Sequence, residues 1–440
     1  MRQAVKYYVK ELLTIAVPII MGNLGFILIG LGDVVVAGRH STDTFAVISI
    51  ANAIINCVLT FGIGLISGIS PLLSNYRGER KPVKRYFCPS VRFAMLLAVI
   101  ISTLLLAVIP AIPFMGFETK LVKPIQYYMV ITAFSTFGIY LHASLKEFLQ
   151  SFEIVLFPNT LTIFCVLLNV ALNIIFVFGF WIIPSMGVIG LAIASFIVRY
   201  FMAFVLLVYC IVNMNLRDYH ERGYYKNLLK IGMPISMAVF VEFVAFNSIA
   251  IIMGRVSGIY AAAQNLVCSL TTISFMVPFA ISNAIAIKVG FANGSRNIDD
   301  LKKYSTIGTI ISVGFMLCSA AVFVSFPKAI AGVFTVDDNL LTIAVPVVYV
   351  LSVFQIFDGL QIALAGVCKG VKQTDIVLLA NFIAYWCISI PIGYILAFKF
   401  NFMLTGFWIG LVFSAFVLCM IMIFKLKRFF KREYKNLYAA

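Results

Sequence analysis

The 440 residues of this chain are 62% hydrophobic and only 11% charged, a composition that excludes an ordinary water-soluble globular protein. They include 33 Lys and Arg against 17 Asp and Glu, giving a formal net charge of +16, which in a soluble chain would raise the question of a nucleic-acid partner. A membrane-spanning helix needs about 20 mostly apolar residues, and apolar runs of that length recur along the whole chain. The sequence therefore predicts an all-helical integral membrane protein with no soluble domain.

The apolar runs predict twelve membrane-spanning helices. In chain order they cover residues 12–37, 45–74, 87–110, 122–145, 156–180, 186–212, 229–253, 260–287, 304–326, 340–367, 376–398 and 403–424. The first run is too long for a signal peptide, so we expect it to be retained as the first span. The nine cysteines lie mostly inside these runs and form no Cys-x-x-Cys motif, which argues against a disulfide framework or a zinc site.

The loops between the spans differ in charge on the two sides of the membrane. When alternate loops are assigned to alternate sides, one side carries 25 Lys and Arg and the other carries six. Because loops rich in Lys and Arg stay in the cytoplasm, we expect a multi-pass protein of the inner (plasma) membrane with both termini cytoplasmic. Residues 75–86, 213–228 and 288–303 are then cytoplasmic loops. This asymmetry accounts for the positive charge without nucleic acid.

The two halves of the chain repeat the same motifs in one constant register. That register aligns Leu12-Leu13-x-Ile15-x-x-Pro18-Ile19 with Leu228-Leu229-x-Ile231-x-x-Pro234-Ile235, Gly38-Arg39 with Gly254-Arg255, and Gly78-x-Arg80 with Gly294-x-Arg296. Since each half has six spans, both halves have the same orientation, as in transporters built from parallel repeats. We therefore predict two six-helix lobes, residues 1–215 and 216–440.

Pro18 and Pro234 occupy equivalent positions in this repeat, one to two turns into the first and seventh spans. A proline inside a helix removes a backbone hydrogen-bond donor, and its ring clashes with the preceding turn. We predict a hinge at each proline, with a static kink as the alternative.

Three acidic residues lie well inside predicted spans, namely Asp33, Glu242 and Asp358. A carboxylate at membrane depth is energetically costly and normally faces a cavity or a partner, so we predict that these acids mark the path of an ion or a substrate. A purely structural acid is the alternative. The positions opposite them in the repeat register are Ile249, Phe26 and His142, so the acids do not recur as a requirement of the fold would. Two cations are candidates for this path. One is a proton, which a buried carboxyl can exchange near neutral pH, and the other is sodium, bound at Glu242 and Asp358.

Uncharged polar residues at helical spacing are further candidates for binding the ion or the substrate. They are Asn52, Asn56, Asn169, Asn173, Gln355 and Gln361. For the asparagine pairs, hydrogen bonding between helices is an equal alternative, whereas for the two glutamines beside Asp358 we favour a cavity. Arg199 lies deep in the sixth span, where it could pair with Asp33 or form a structural ion pair.

Several catalytic and energy-coupling motifs are missing from the sequence. It contains no Gly-x-x-x-x-Gly-Lys-Ser/Thr phosphate-binding loop and no His-Glu-x-x-His motif. The sequence therefore argues against an ATP-driven pump and an intramembrane metalloprotease, and it favours a secondary transporter that needs no cofactor beyond its coupling ion.

In these features the chain resembles the multidrug and toxic compound extrusion (MATE) transporters, within the NorM-like branch. The residues that carry the resemblance are Gly-Asp33-x-x-x-Ala-Gly38, Pro71-Leu-Leu-Ser-Asn-Tyr-Arg-Gly78, Asn169-x-x-x-Asn173, Met233-Pro-Ile-x-x-x-x-x-x-Glu242 and Phe357-Asp-Gly-Leu-Gln-x-x-x-x-Gly-x-x-Lys-Gly370. The resemblance implies a V-shaped pair of six-helix lobes that exports amphipathic, usually cationic compounds in exchange for sodium ions or protons. We expect a functional monomer in the lipid bilayer.

The resemblance also implies roles for individual residues. In such proteins the acids that match Glu242 and Asp358 serve cation coupling in the second lobe, and the residues that match Asp33 and Asn173 belong to the first-lobe site. Sodium-coupled relatives often carry Tyr one turn before the acid of span ten, where this chain has Phe354. This departure slightly favours protons as the coupling ion.

Two other functions compete with efflux. Flippases for lipid-linked sugars share the superfamily but tend to have more basic residues in their central cavity, and three interior acids against one interior base favour cationic substrates. An intramembrane acyl- or glycosyltransferase would need a nucleophile or an acid/base set clustered at one membrane face, and the sequence shows none.

Overall fold

The computed structural model describes residues 2–181, 183–214 and 223–438. Within these residues, twelve helices are long and apolar enough to cross a membrane. They are α1 (Val5–His40), α2 (Thr42–Gly78), α3 (Val83–Met115), α4 (Thr119–Ser151), α5 (Leu156–Phe178), α6 (Val188–Met214), α7 (Tyr224–Val256), α8 (Gly258–Gly294), α9 (Ile298–Ser325), α10 (Asp338–Gly370), α11 (Asp375–Phe398) and α12 (Met403–Arg432). A short helix, Pro327–Gly332, lies between α9 and α10.

The outer surfaces of these helices are apolar, as lipid contact requires. Leu96, Leu167 and Val212 are exposed by 62%, 70% and 72%, although side chains of this kind are usually buried in water-soluble proteins. In the described part of the chain the only pairing of extended backbone is one isolated bridge between Phe180 and Ile183. The prediction of an all-helical membrane protein with twelve spans is therefore confirmed.

Several helices extend beyond the apolar runs that predicted them. Because α4 continues to Ser151 and α8 to Gly294, Lys146 and Lys288 lie inside helices and are buried. Their assignment to loops was wrong, since the helical hydrogen-bond ladder continues through polar residues after the hydropathy has fallen. The predicted lobe boundary at 215/216 and most of the predicted loop 213–228 lie outside the described residues.

The chain packs as two compact units. The C-terminal unit consists of Met1–Val17 and Met237–Ala440, and the N-terminal unit consists of Pro18–Ser236. The first and seventh helices are thus each divided between the units, at or just beyond the repeat-related prolines Pro18 and Pro234. The lobe division at 215/216, which followed from the repeat, stays a prediction.

The start of α1 is bound within the C-terminal unit by polar contacts. Tyr8 Oη donates to Asp300 Oδ1 at 2.6 Å. Glu11 Oε2 accepts from Lys288 Nζ at 2.7 Å and from Tyr304 Oη at 2.6 Å. The buried lysine is therefore paired, as a buried charge must be to avoid a large desolvation penalty.

The start of α7 is bound within the N-terminal unit in a similar way. Tyr224 Oη lies 2.5 Å from Ser90 Oγ, and Asn227 Nδ2 donates to Tyr76 Oη at 2.9 Å. The register that aligns Leu12 with Leu228 also aligns Tyr8 with Tyr224. The starts of α1 and α7, each of which belongs to the unit formed mainly by the other half of the chain, are therefore bound there by equivalent tyrosines.

A glycine allows α10 to pack closely against α8. A Cβ atom on Gly366 would lie 2.4 Å from the carbonyl oxygen of Ser282, which is too close for any side chain. The Gly366/Gly370 pair thus permits the close approach that such spacing typically serves in membrane helices. This contact fixes the position of α10, the helix that carries Asp358.

Candidate functional site

An acidic cluster lies inside the C-terminal unit where α7, α10 and α11 meet. It consists of Glu242, Asp358, Gln361 and Tyr385. Tyr385 Oη donates to Glu242 Oε1 at 3.0 Å and accepts from Gln361 Nε2 at 3.2 Å. Gln361 Nε2 also lies 3.1 Å from Asp358 Oδ1. One hydroxyl and one amide therefore connect the two acids.

Local helix geometry brings these side chains together. Asp358 and Gln361 are three residues apart on α10 and so project from one face of it. Tyr385 lies in a π-helical turn of α11, Ile383–Ser389, a rare backbone form that is frequent at functional sites. The neighbouring Gln355 precedes Asp358 by three residues on the same face of α10.

Several oxygen atoms in and beside the acidic cluster have no hydrogen-bond donor. They are Asp358 Oδ2, Gln361 Oε1 and Gln355 Oε1. All three residues are at most 3% exposed. Buried acceptors without a donor are energetically costly, so Asp358 and Gln361 favour an additional positive species, whereas Gln355 lacks a partner at both its amide oxygen and its amide nitrogen. Oxygen ligands of this kind suit a hard cation or a proton, and the described residues form no group of three or more His, Cys, Asp or Glu that would hold another metal.

Phe354 takes no polar part in the acidic cluster. Its ring packs edge-on against Trp408, with the two ring centres 5.6 Å apart, and its centre lies 6.4 Å from that of the Phe246 ring. Phe354 therefore belongs to an aromatic core. The phenol that is absent at Phe354 is instead provided from α11 by Tyr385. Sequence reasoning missed Tyr385, which lies 24 residues beyond Gln361 and is one of 19 tyrosines without a distinguishing pattern.

A second polar cluster lies inside the N-terminal unit, on α1, α5 and α6. We call Asp33, Asn169, Asn173 and Ser195 the Asp33 ring. Asn173 Nδ2 donates to Asp33 Oδ1 at 2.6 Å and to Asn169 Oδ1 at 3.1 Å. Ser195 Oγ donates to Asp33 Oδ2 at 3.1 Å and accepts from Asn169 Nδ2 at 3.4 Å. The ring is closed and buried, and Asn173 Oδ1 has no donor.

The sequence predicted three members of the Asp33 ring, and Ser195 was missed. Arg199 does not pair with Asp33, because its Nη1 donates to Ser135 Oγ at 2.6 Å and the two residues form no ion pair. The hydrogen bonds that Asp33 accepts therefore come from neutral donors of the ring.

The other predicted residues lie apart from both clusters. Asn52 Oδ1 accepts from Tyr128 Oη at 3.3 Å, whereas Asn56 is exposed and has no hydrogen bond to a described residue. Pro18 and Pro234 lie inside helices that continue through them. The binding role of the two asparagines and the hinge role of the two prolines stay predictions.

Comparison with known proteins finds one family model in both halves of the chain. The MatE family model matches this chain twice, over residues 18–175 and 234–395. The two matches begin at Pro18 and Pro234, which the sequence repeat also aligns with each other. Each match of the family model therefore corresponds to one half of the chain.

Relatives of similar length share about a quarter of their residues with this chain. It is 28% identical over 418 residues to the multidrug resistance protein NorM of Photobacterium profundum, covering 91% of each protein. It is 26% identical over 424 residues to the probable multidrug resistance protein NorM of Bacillus subtilis, covering 92% of each.

Two solved structures with the same fold carry names of transporters. A MOP superfamily transporter from Pyrococcus furiosus matches with a TM-score of 0.89 at 18% identity, covering 97% of this chain and 96% of its own. A eukaryotic MATE transporter matches with a TM-score of 0.87 at 18% identity, covering 98% and 99%. At this identity the likeness establishes the fold alone.

Proposed function

The chain belongs to the MatE family, and we propose that it is a secondary active multidrug efflux transporter that exchanges a cation for amphipathic compounds. The members of this family are transporters and not enzymes. The observation that carries the proposal is the acidic cluster, in which the partly buried Glu242 and the buried Asp358 are linked through a tyrosine and a glutamine beside acceptor oxygens that have no donor. Relatives of the same length named multidrug resistance proteins support the substrate class.

The coupling ion we propose is sodium, bound in the acidic cluster. A proton satisfies one acceptor directly, whereas a sodium ion can accept several oxygen ligands at once, and more than one buried oxygen here has no donor. The sequence argument for protons was the missing phenol at Phe354. Tyr385 supplies a phenol to Glu242 and is linked to Asp358 through Gln361. Glu242, Asp358, Gln361 and Tyr385 would provide the ligands.

The Asp33 ring is proposed to bind the cationic group of the exported compound. Asp33 accepts hydrogen bonds from uncharged donors only, so its negative charge has no internal counter-ion within the ring. A lipophilic cation would supply that charge, and aromatic faces can add cation–π contacts worth about 0.5 to 2 kcal/mol each. We further propose a monomer in the inner membrane with both termini cytoplasmic, for which the excess of Lys and Arg on one side is the support, since 23 against six remain once the buried Lys146 and Lys288 are subtracted from the 25.

Transport by purified protein in sealed vesicles tests the proposal. With tetraphenylphosphonium as substrate and equal pH on both sides, an imposed sodium gradient should drive its movement. Glu242→Gln and Asp358→Asn should each abolish this movement, while Asp337→Asn should not, because Asp337 is an exposed acid at the start of the same helix as Asp358. Drive by a pH gradient alone would assign protons instead. Movement of lipid-linked sugars without movement of cations would indicate a flippase.

A further inference from the structure

We propose that His142 and Lys146 form a binding site for a carboxylate group inside the N-terminal unit. The inference rests on the proposed function, since the carboxylate would belong to a compound that the transporter handles. It assigns to these two residues the recognition of an anionic group carried on an aromatic ring.

The two basic residues lie one turn apart on one face of α4, and both are buried. His142 is 4% exposed and Lys146 is 8% exposed. Lys146 Nζ lies 5.5 Å from the centre of the Phe26 ring of α1, and that ring lies 5.7 Å from the His142 ring. Phe26 is 44% exposed, so one side of this group of residues is open.

Three nitrogen atoms at this position have no hydrogen-bond partner. His142 Nε2 is buried and has no hydrogen-bond partner. Lys146 has neither an ion pair nor a hydrogen bond within the described residues, and its ammonium lies over the Phe26 ring. Asn23, one turn before Phe26 on α1, also has a buried Nδ2 without an acceptor. A lysine side chain that is mostly buried and has no acceptor is unfavourable, so the site suits an arriving anion.

The shape of the site favours a carboxylate over a spherical anion. A carboxylate offers two oxygen atoms in a plane, which two donors one helical turn apart can share. The exposed Phe26 ring beside the ammonium provides an apolar surface for the aromatic part of the ligand. The chemistry therefore matches an aryl carboxylate.

The repeat supports a difference in charge between the two units. The register that aligns Pro18 with Pro234 also aligns Phe26 with Glu242 and His142 with Asp358. The same positions thus carry two acids in the C-terminal unit, and an aromatic ring and a base in the N-terminal unit. Equivalent positions on two copies of one scaffold have therefore acquired opposite preferences for ligand charge.

Binding of 2-naphthoate to the purified full-length protein in lipid nanodiscs, followed by calorimetry, tests the inference. We expect wild-type protein to bind the probe and Lys146→Met to weaken binding by at least about tenfold, because a charge-assisted hydrogen bond is lost. Lys146→Arg, which keeps the charge, should retain binding. Lys120→Met is the matched control, because Lys120 is an exposed lysine on the same helix.

Tetraphenylphosphonium binding separates this inference from the proposed function. Lys146→Met should bind this cation at least as tightly as wild type, which also shows that the variant is folded. The inference is overturned if wild-type protein fails to bind 2-naphthoate at millimolar concentration, or if Lys146→Met binds it as tightly as wild type. It is also overturned if phenyl phosphate binds more tightly than 2-naphthoate with the same dependence on Lys146. Failure of the proposed function would appear instead as absence of gradient-driven tetraphenylphosphonium movement by the wild type.

Discussion

Replacing Tyr385 by phenylalanine removes a single oxygen atom from the centre of the acidic cluster. That oxygen donates to Glu242 Oε1 at 3.0 Å and accepts from Gln361 Nε2 at 3.2 Å. A hydrogen bond to a charged group contributes about 1.5 to 3 kcal/mol, so the half-saturating sodium concentration for transport should rise between about tenfold and a hundredfold. The ring itself should stay in place, because it is fully buried and packs near Phe246 at 6.0 Å.

The assay is tetraphenylphosphonium transport in proteoliposomes as a function of sodium concentration at constant pH. Tyr140→Phe is the matched control, since Tyr140 is an equally buried tyrosine whose hydroxyl donates to the Leu59 carbonyl at 3.2 Å, in the other unit. Its sodium dependence should equal that of wild type. An unchanged sodium dependence in Tyr385→Phe, or equal shifts in both variants, would refute the assignment of Tyr385 to the ion site.

Three further predictions concern the Asp33 ring, the membrane orientation and the two prolines. Asp33→Asn should reduce cation efflux by at least about tenfold, because the negative charge of the Asp33 ring is lost. Thermal stabilisation of the purified variant by sodium should persist. Loss of both the efflux and this stabilisation would show that the ring is needed for the fold. In a cysteine-free background, Arg80→Cys should resist an impermeant thiol reagent outside whole cells and Val336→Cys, in the loop before α10, should react; labelling at position 80 would overturn the orientation. Pro18→Ala and Pro234→Ala should each raise the melting temperature, because a backbone donor is returned to the helix. Each should also slow transport, because the helix becomes stiffer. If both variants transport at the wild-type rate, the two prolines are not hinges.

The fold could be predicted because hydropathy reports a direct physical requirement. Backbone polar groups cannot be left unpaired in lipid, so an apolar run of sufficient length has to be a helix, and all twelve runs are. The same argument does not say where a helix ends, since a polar residue continues the helix as readily as it leaves it. For that reason Lys146 and Lys288 were assigned to loops although both are buried within helices.

The sites could be predicted only as far as the chemistry of single residues allows. An acid inside an apolar run is conspicuous, and a pair of asparagines at helical spacing identifies a face. Tyr385 and Ser195 carry no such signal, because a lone hydroxyl in a span is common. They contact acids 143 and 162 residues away, and only the tertiary structure brings them there. The absence of a phenol at Phe354 was visible in the sequence, and its replacement from another helix was not.

The repeat separates what the scaffold requires from what the function requires. Arg80 and Arg296, one repeat apart, both adopt a left-handed backbone, with φ of 59° and 56°, although this conformation is uncommon for residues other than glycine. Tyr8 and Tyr224 anchor helix starts in both units in the same way. Features that recur in this manner maintain the architecture, since both copies need them.

Interior polar residues behave in the opposite way. Glu242 is replaced by Phe26 in the other copy, and Asp358 by His142. Because the two copies share one fold, neither acid can be a requirement of that fold, and the energetic cost of burying it must be offset by something that only one copy does. Cation coupling in one unit and anion recognition in the other would each meet this condition.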